Sequence, residues 1–464
     1  MSWLKNKILI RFPFGKTEEK AEESTAKSQR SQKTVILPRD KHPISRKNID
    51  QSALKVLYRL HNKGYKAYLV GGSVRDLLIG RIPKDFDIGT DATPKEIKRL
   101  FGNSIIIGRR FKIVHIRFRE KRVIEVTTFR RKSDEDVSRT GLPTLRDNTF
   151  GTSIEDAFRR DLTINGLFYN IADFTVIDHV GGMKDIKNRV IKVIGNPEER
   201  FTEDPVRMIR AIRHGTRIGF TIDKDTDKAI RKLSANITLC PPPRLQEEIL
   251  KDLRSGHSRE AFRLFKEYGI LKVLFPSICK SIETTQITED MVLTSLGLLD
   301  DLVQSGIEPS VPFLLSVPMI PSTITYINKT ISKSNGSGID IPKLIHKHLF
   351  DSLKSLEISK KSLDIMKHLI YLNWKMLRSL EKGFIPASLM RKNHFPRAFN
   401  LMGISARVFG HFPDSPYPPV DDSTNPLRRL LRDPRRKTRK KQKPRRRKTK
   451  SFQQSKANSR HERK

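Results

Sequence analysis

The chain has 464 residues, enough for two to four domains, and carries 91 Lys and Arg against 51 Asp and Glu, a net charge of +40. Its two cysteines, Cys240 and Cys279, stand far apart with no CxxC spacing, which excludes a disulfide framework and a cysteine zinc site and points to a reducing, cytoplasmic setting. No run approaches the roughly 18 consecutive apolar residues of a membrane span, so the charge calls for a polyanion, nucleic acid first.

The first residues, MSWLKNKILIRFPFG, lack the apolar core and cleavage site of a secretory signal. Residues 15–35 mix charge with Ser and Thr, and 1–47 are expected to form a largely disordered leader, with order beginning near Ile49. Ala53, Leu54, Leu57 and Leu60 then mark one face of a helix that Gly64 stops. A strand KAYLV leads into Gly71-Gly72 and a helix through Val74, Leu77 and Leu78, and KDFDIGT reads as another strand. Thr93 with Glu96 forms a capping box that opens a helix to Leu100, and SIIIG, KIVHIRF and RVIEVTTF read as three strands.

From Arg130 to Asn148 the pattern loses its period and reads as a mobile loop. A second capping box, Thr152 with Glu155, opens a helix through Ile154, Ala157, Phe158 and Leu162, and TVIDHVGG and RVIKVIG form a small strand-rich patch. Everything after Asp204 reads helical, with breaks at Pro241–Pro243 and Pro413–Pro419. Between Pro426 and Lys464 there are 19 Lys and Arg against Asp433 and Glu462, a low-complexity basic tail. The expected organisation is α+β: a leader (1–47), a head with a small mixed or antiparallel sheet (48–195), a helical neck (196–275), a helical body (276–412), and a Pro-rich joint with disordered tail (413–464).

The sharpest constellation is LVGGSVRD, Leu69 to Asp76, followed by Asp85-Phe86-Asp87. If 84–89 is a strand, its period of two sets Asp85 and Asp87 on one face, where two repelling carboxylates suit Mg²⁺ with room for substrate phosphates. The alternative for an isolated DxD is a solvated turn. Gly71 and Gly72, between strand and helix, allow a phosphate to approach the backbone, and Arg75 lies one turn further on. Glu125 alternates with Val123 and Thr127 on a strand, either at a site's edge or facing solvent; His115 reads as a strand residue with a structural partner. Asp204 is expected to cap the next helix, with Pro205 first inside it. Arg207, Arg210, Arg213 and Arg217 share one face of that helix, opposite Met208, Ile209 and Ile212, with no Glu among them.

In this order the pieces resemble the class II nucleotidyltransferases, which include bacterial poly(A) polymerase and the CCA-adding tRNA enzyme. LVGGSVRDLL with KDFD is similar to the family's first motif, RRDLTIN to the second, and EDPVRMIRAIR to its nucleotide-contacting helix; the likeness runs from Leu37 to Phe275. The lead-in LPRDKHPISRKNIDQSALKVLYRL, the stretch Ile106–Ile113 and the basic tail resemble the poly(A) group in particular.

The resemblance implies a polymerase-β-like head and template-independent transfer of AMP from ATP to RNA 3′ ends by a two-metal route, with pyrophosphate released, in RNA processing and decay. Asp85 and Asp87 would be the catalytic, metal-binding acids, with Mg²⁺, or Mn²⁺ in its place. Gly71, Gly72 and Arg75 would hold phosphates, Arg160 and Asp161 would sit at the sugar and active site, Asp204 and Arg207 would face the base, and Arg210 and Arg213 would lie nearby. Asp161 and Glu125 compete for the third carboxylate. The partners implied are ATP and RNA, membrane contact is at most peripheral, and the chain is expected as a monomer or a member of an RNA-decay complex. The rival readings are a CCA-adding enzyme and an inactive RNA-binding scaffold.

Overall fold

A computed structural model describes residues 33–108, 112–119, 122–131, 150–284, 289–333, 338–380 and 384–411. The expected basic tail, most of the expected 130–148 loop and most of the leader lie outside them.

The head is built on eight strands: β1 (Val35–Leu37), β2 (Ala67–Val70), β3 (Asp87–Thr90), β4 (Ser104–Ile107), β5 (Ile113–Arg117), β6 (Val123–Thr128), β7 (Leu167–Asn170) and β8 (Val176–Asp178). Their order is β1-β8-β7-β2-β3-β6-β5-β4. Every pairing is antiparallel except β3 with β6, which sets Asp87 beside Glu125.

Helix α1 (Gln51–His61) forms where the apolar spacing places it. Asp50 caps it by accepting from the Ser52 and Ala53 N–H groups, Ala53, Leu54, Leu57 and Leu60 are buried, and Gly64 adopts φ +84° beyond its end. Helix α2 (Gly72–Leu78) follows β2 directly, and α3 (Pro94–Leu100) and α4 (Ser153–Arg159) open on the two expected capping boxes.

The structure corrects several sequence expectations. Order begins ahead of Ile49: β1 pairs with β8, and His42 and Ile44 are buried. Strand β3 begins at Asp87, not Lys84, and Pro83, which has no N–H for a ladder, lies just before. Helix α4 stops at Arg159; Leu162 instead bridges to Val193, and the unexpected strand β7 follows. Inside the strand-rich patch, residues 182–188 form helix α5 (Gly182–Asn188).

The neck comprises α6 (Pro197–Glu203), α7 (Val206–Ile218), α8 (Lys224–Leu233), α9 (Pro242–Leu253), α10 (Ser258–Glu267) and α11 (Ile270–Leu274), with Gly219 at φ +71° ending α7. Two short strands interrupt the helical region, β9 (Val190–Ile191) pairing in parallel with β10 (Thr221–Ile222). Beyond Pro276 every described element is helical, as far as Val408. The apolar stretch Val311–Lys333 is long enough to cross a membrane, but 78% of its apolar window is buried inside the protein. One apolar core runs from Leu162 through the neck to Ala406, and a second fills the head between its helices and the sheet.

Gly89 keeps β3 in place. A methyl group there would lie 2.7 Å from a ring carbon of buried Phe129 and 3.0 Å from a Val70 methyl. Gly89→Ala should therefore cost about 1–3 kcal/mol in urea unfolding and displace β3 with Asp87. An unchanged midpoint would contradict this packing.

Candidate active site

The strand ends, the neck helix α7 and helix α9 enclose a cavity of about 760 Å³. Twelve Lys and Arg line it against five Asp, so the wall suits a ligand with several negative charges.

At its acidic end, Asp87 opens β3 and Asp85 lies two positions earlier, exposed, with Phe86 between them turned into the core. The two acids share the cavity side, as the alternation implies, although Asp85 precedes the strand. Gly71, at φ +70°, closes β2 against them. A Cβ at that position would stand 3.2 Å from the Arg160 guanidinium and 4.0 Å from an Asp87 oxygen, which is why a side chain is absent there.

Burial pushes the Asp87 carboxyl up to about 6. Glu125 and Asp85 add to the rise, while Arg160 opposes it. Glu125 is the register partner of Asp87 across the parallel pair, and His115 faces Glu125 in turn at 3.2 Å. His115 thus has the structural partner expected of it, while Glu125, for which an edge-of-site and a solvent-facing reading stood open, sits next to Asp87 with its side chain about half exposed.

Asp161, its competitor, is engaged differently. Its carboxylate accepts from Arg210 at 2.6 Å, from the Leu162 N–H at 2.8 Å and from Asn165 at 3.5 Å. Burial, the largest single influence, raises its pKa, but the Arg210 charge, His214 and the hydrogen bonds from Arg210 and Leu162 together outweigh it and hold Asp161 well below the usual carboxylate range.

Arg75 departs from expectation. It is 1% exposed, its Nε and Nη2 donate to Asp76, and its Nη1 donates to Asn165 and to His214 Nδ1. A guanidinium so engaged braces α2 against the turn after Asp161 and against α7, and is not a free phosphate ligand. Asp204 does not cap α7. Pro205 holds that position with no side-chain bond, and the Asp204 carboxylate accepts from Arg244 at 2.9 Å.

The arginine stripe of α7 lines the cavity, but its arginines are not unrelieved. Met208, Ile209 and Ile212 are buried opposite it as expected, but each arginine meets an acid from outside the helix. Arg207 pairs with Glu203, Arg210 with Asp161, Arg213 with Glu248 and Asp252, and Arg217 with Asp76. Arg160 is likewise held by Asp156 at 2.8 Å. Lys84 and Arg254, which the sequence did not single out, line the cavity with no acidic partner among the described residues. His214 was also missed: burial and then Arg75 hold it well below its ordinary pKa, as a neutral imidazole in the cavity wall.

Among the described residues no three His, Cys, Asp or Glu side chains form a ready-made ion cage. Two hard carboxylates leaving other positions to water and substrate oxygens is instead the donor set that Mg²⁺ accepts, and burial together with the Glu125 and Asp85 charges disfavours the bare Asp87 carboxylate there. The residues fit the ion.

A glycine turn ending one strand, acids opening the next and a basic cleft toward a helical neck define a nucleotidyltransferase of the polymerase-β-like kind. Residues 67–192 match the Poly A polymerase head domain, and residues 219–282 match the probable RNA and SrmB-binding site of polymerase A. The chain is 38% identical to poly(A) polymerase I of Escherichia coli O6:H1 over 405 residues, 85% of this chain and 86% of that protein. A CCA-adding enzyme of Lactobacillus helveticus is 39% identical, over 46% of this chain and 52% of its own length. A solved CCA-adding enzyme, apo form II, shares the fold at a TM-score of 0.53 and 21% identity, covering 81% of this chain and 87% of that one. The chain belongs to the bacterial poly(A) polymerase I family.

The Asp87 shift has a measurable consequence. Its folded pKa, about 6, lies above the ordinary 3.8, so ionising it weakens the fold fully above about pH 6, and the effect fades as pH falls toward 3.8. Asp87→Asn should raise the thermal midpoint of the metal-free protein near pH 8 and leave it unchanged near pH 4. An equal shift at both pH values would contradict the assignment.

Proposed function

We propose that the protein adds AMP from ATP to RNA 3′ ends without a template. The RNA 3′-hydroxyl attacks the α-phosphate, a new phosphodiester forms, and the bond to the β-phosphate breaks to release pyrophosphate. The observation that carries this reading is the Asp85–Asp87 pair beside the Gly71 turn, at the acidic end of a strongly basic cavity. Asp85 and Asp87 would hold Mg²⁺, or Mn²⁺ in its place, which would supply electrostatic stabilisation of the charge that develops during the transfer.

The protein's own groups position the substrates. Gly71 and Gly72 let the triphosphate approach the backbone, with Arg160, Lys84 and Arg254 offering charge. Asp204 and Arg207 face the base, with Arg210 and Arg213 bracing the wall behind. Glu125 serves as the third carboxylate. Its register beside Asp87 supports that role, whereas Asp161 is already neutralised by Arg210.

We divide the chain into a catalytic head (48–195), a neck holding nucleotide and RNA (196–275) and an RNA-binding body (276–412), with β1 joining the head's sheet from outside the first of these limits. The free cysteines Cys240 and Cys279 suit a cytoplasmic setting. A CCA-adding activity is the second reading, favoured by the local identity to such enzymes; the longer match to a poly(A) polymerase supports ATP alone.

Incubation with an unstructured RNA and either ATP or CTP tests the proposal. Long tails are expected from ATP alone, and Asp85→Ala or Asp87→Ala should lower incorporation by about a thousandfold or more while RNA affinity stays within about twofold. Retained turnover in either variant, or addition of C before A, would overturn it.

A further inference from the structure

Far along the chain from the catalytic cavity, the body carries a second basic concavity of about 640 Å³, lined by Asp340, Pro342, Lys343, His346, Lys347, Phe350 and Lys367. None of these residues lines the catalytic cavity. Most stand on the helix Ile341–Ser352, whose other face buries Ile345, Leu349 and Ser352. Lys343, His346, Lys347 and Phe350 follow the i, i+3, i+4, i+7 spacing that aligns side chains on one helix face. Lys367 reaches the same groove from the helix Lys360–Leu380.

Two features separate this face from an ordinary solvated helix. Phe350 is 56% exposed, so a large aromatic surface stands in water amid cations. Lys343 and Lys347 have no acidic partner among the described residues, and the one acid in the lining, Asp340, already accepts the Lys343 N–H at 3.0 Å as a helix cap. Lys367 alone is paired, with Asp364 at 2.8 Å. An exposed ring bordered by unpaired ammonium groups suits a base to stack on and phosphates to flank it. A protein partner is disfavoured, because interface cores are depleted in lysine and Phe350 is the only large apolar side chain in the lining.

We propose that this groove is a single-stranded RNA subsite in which Phe350 stacks one base and Lys343 and Lys347 hold adjacent phosphates. It grips the RNA body upstream of the 3′ end, so it contributes to long substrates and not to short primers. The inference rests on the RNA-directed activity proposed above, but it is tested by binding without nucleotide, so the two can fail separately.

The full chain, with Phe350→Ala, Phe350→Trp and Lys343→Ala/Lys347→Ala variants, is titrated against fluorescent oligo(A) of short and long length at several salt concentrations. Phe350→Ala should weaken binding of the long RNA by about fivefold to a hundredfold, with Phe350→Trp retaining affinity. The lysine variant should reduce the log–log salt slope by about 1.4, and the short RNA should be bound as by the parent. Unchanged affinity for the long RNA in both the Phe350→Ala and the lysine variant, with unaltered circular dichroism, would overturn the subsite; so would an equal loss for both lengths. A parent protein that binds long RNA through Phe350 yet adds no nucleotide would refute the activity and leave the subsite standing.

Discussion

Like charges forced together by backbone pairing set the character of this molecule. The parallel β3–β6 ladder places Asp87 beside Glu125, the chain brings Asp85 to the same side, and burial of Asp87 withholds the water that would otherwise screen its carboxylate. Such an arrangement costs the fold stability above about pH 6, and only cations relieve it. The neighbouring backbone serves the same end. Gly71 takes a left-handed conformation so that nothing fills the space between Arg160 and Asp87, and Gly89 lets Phe129 pack close against β3.

The basic wall opposite is restrained by pairing. Arg210 reaches Asp161 and Arg217 reaches Asp76, so two arginines of the neck helix hold acids of the head, while Arg213 ties the same helix to Glu248 and Asp252 of α9. Burial pushes Asp252, beneath Arg213, up to about 7, which marks how dry this joint is. Breaking one member of such a pair strands the other, and head and neck are therefore electrostatically interdependent. The cleft combines fixed cations that shape it with a few, Lys84 and Arg254 among them, that remain available to an incoming anion.

Features legible in the sequence were those with local causes. The capping boxes at Thr93 and Thr152, the apolar face of residues 51–61, the strands around Val114 and Val126, and the amphipathic neck helix all form where spacing implies. What escaped depends on distant partners. Strand β1 is three residues long and owes its existence to β8, some 140 positions later. Arg75 looked like a free cation although Asp76 beside it takes its Nε and Nη2, because burial and the bond to Asn165, 90 residues on, are not visible in the sequence, and the α7 arginines looked unrelieved because Asp76 and Asp161 come from the head. Asp204 looked like a cap because Asp-Pro opens many helices, yet Arg244, 40 residues on, takes its carboxylate. The acid pair was recognisable from its alternation with Phe86; the register that sets Glu125 beside Asp87 was not.

The most direct test of the carboxylate cluster is anomalous scattering from crystals grown with Mn²⁺ and a non-hydrolysable ATP analogue. The account predicts manganese against Asp85 and Asp87, with Glu125 on the same side and Asp161 still bound to Arg210. Manganese absent from Asp85 and Asp87, or seated on Asp161, would contradict it.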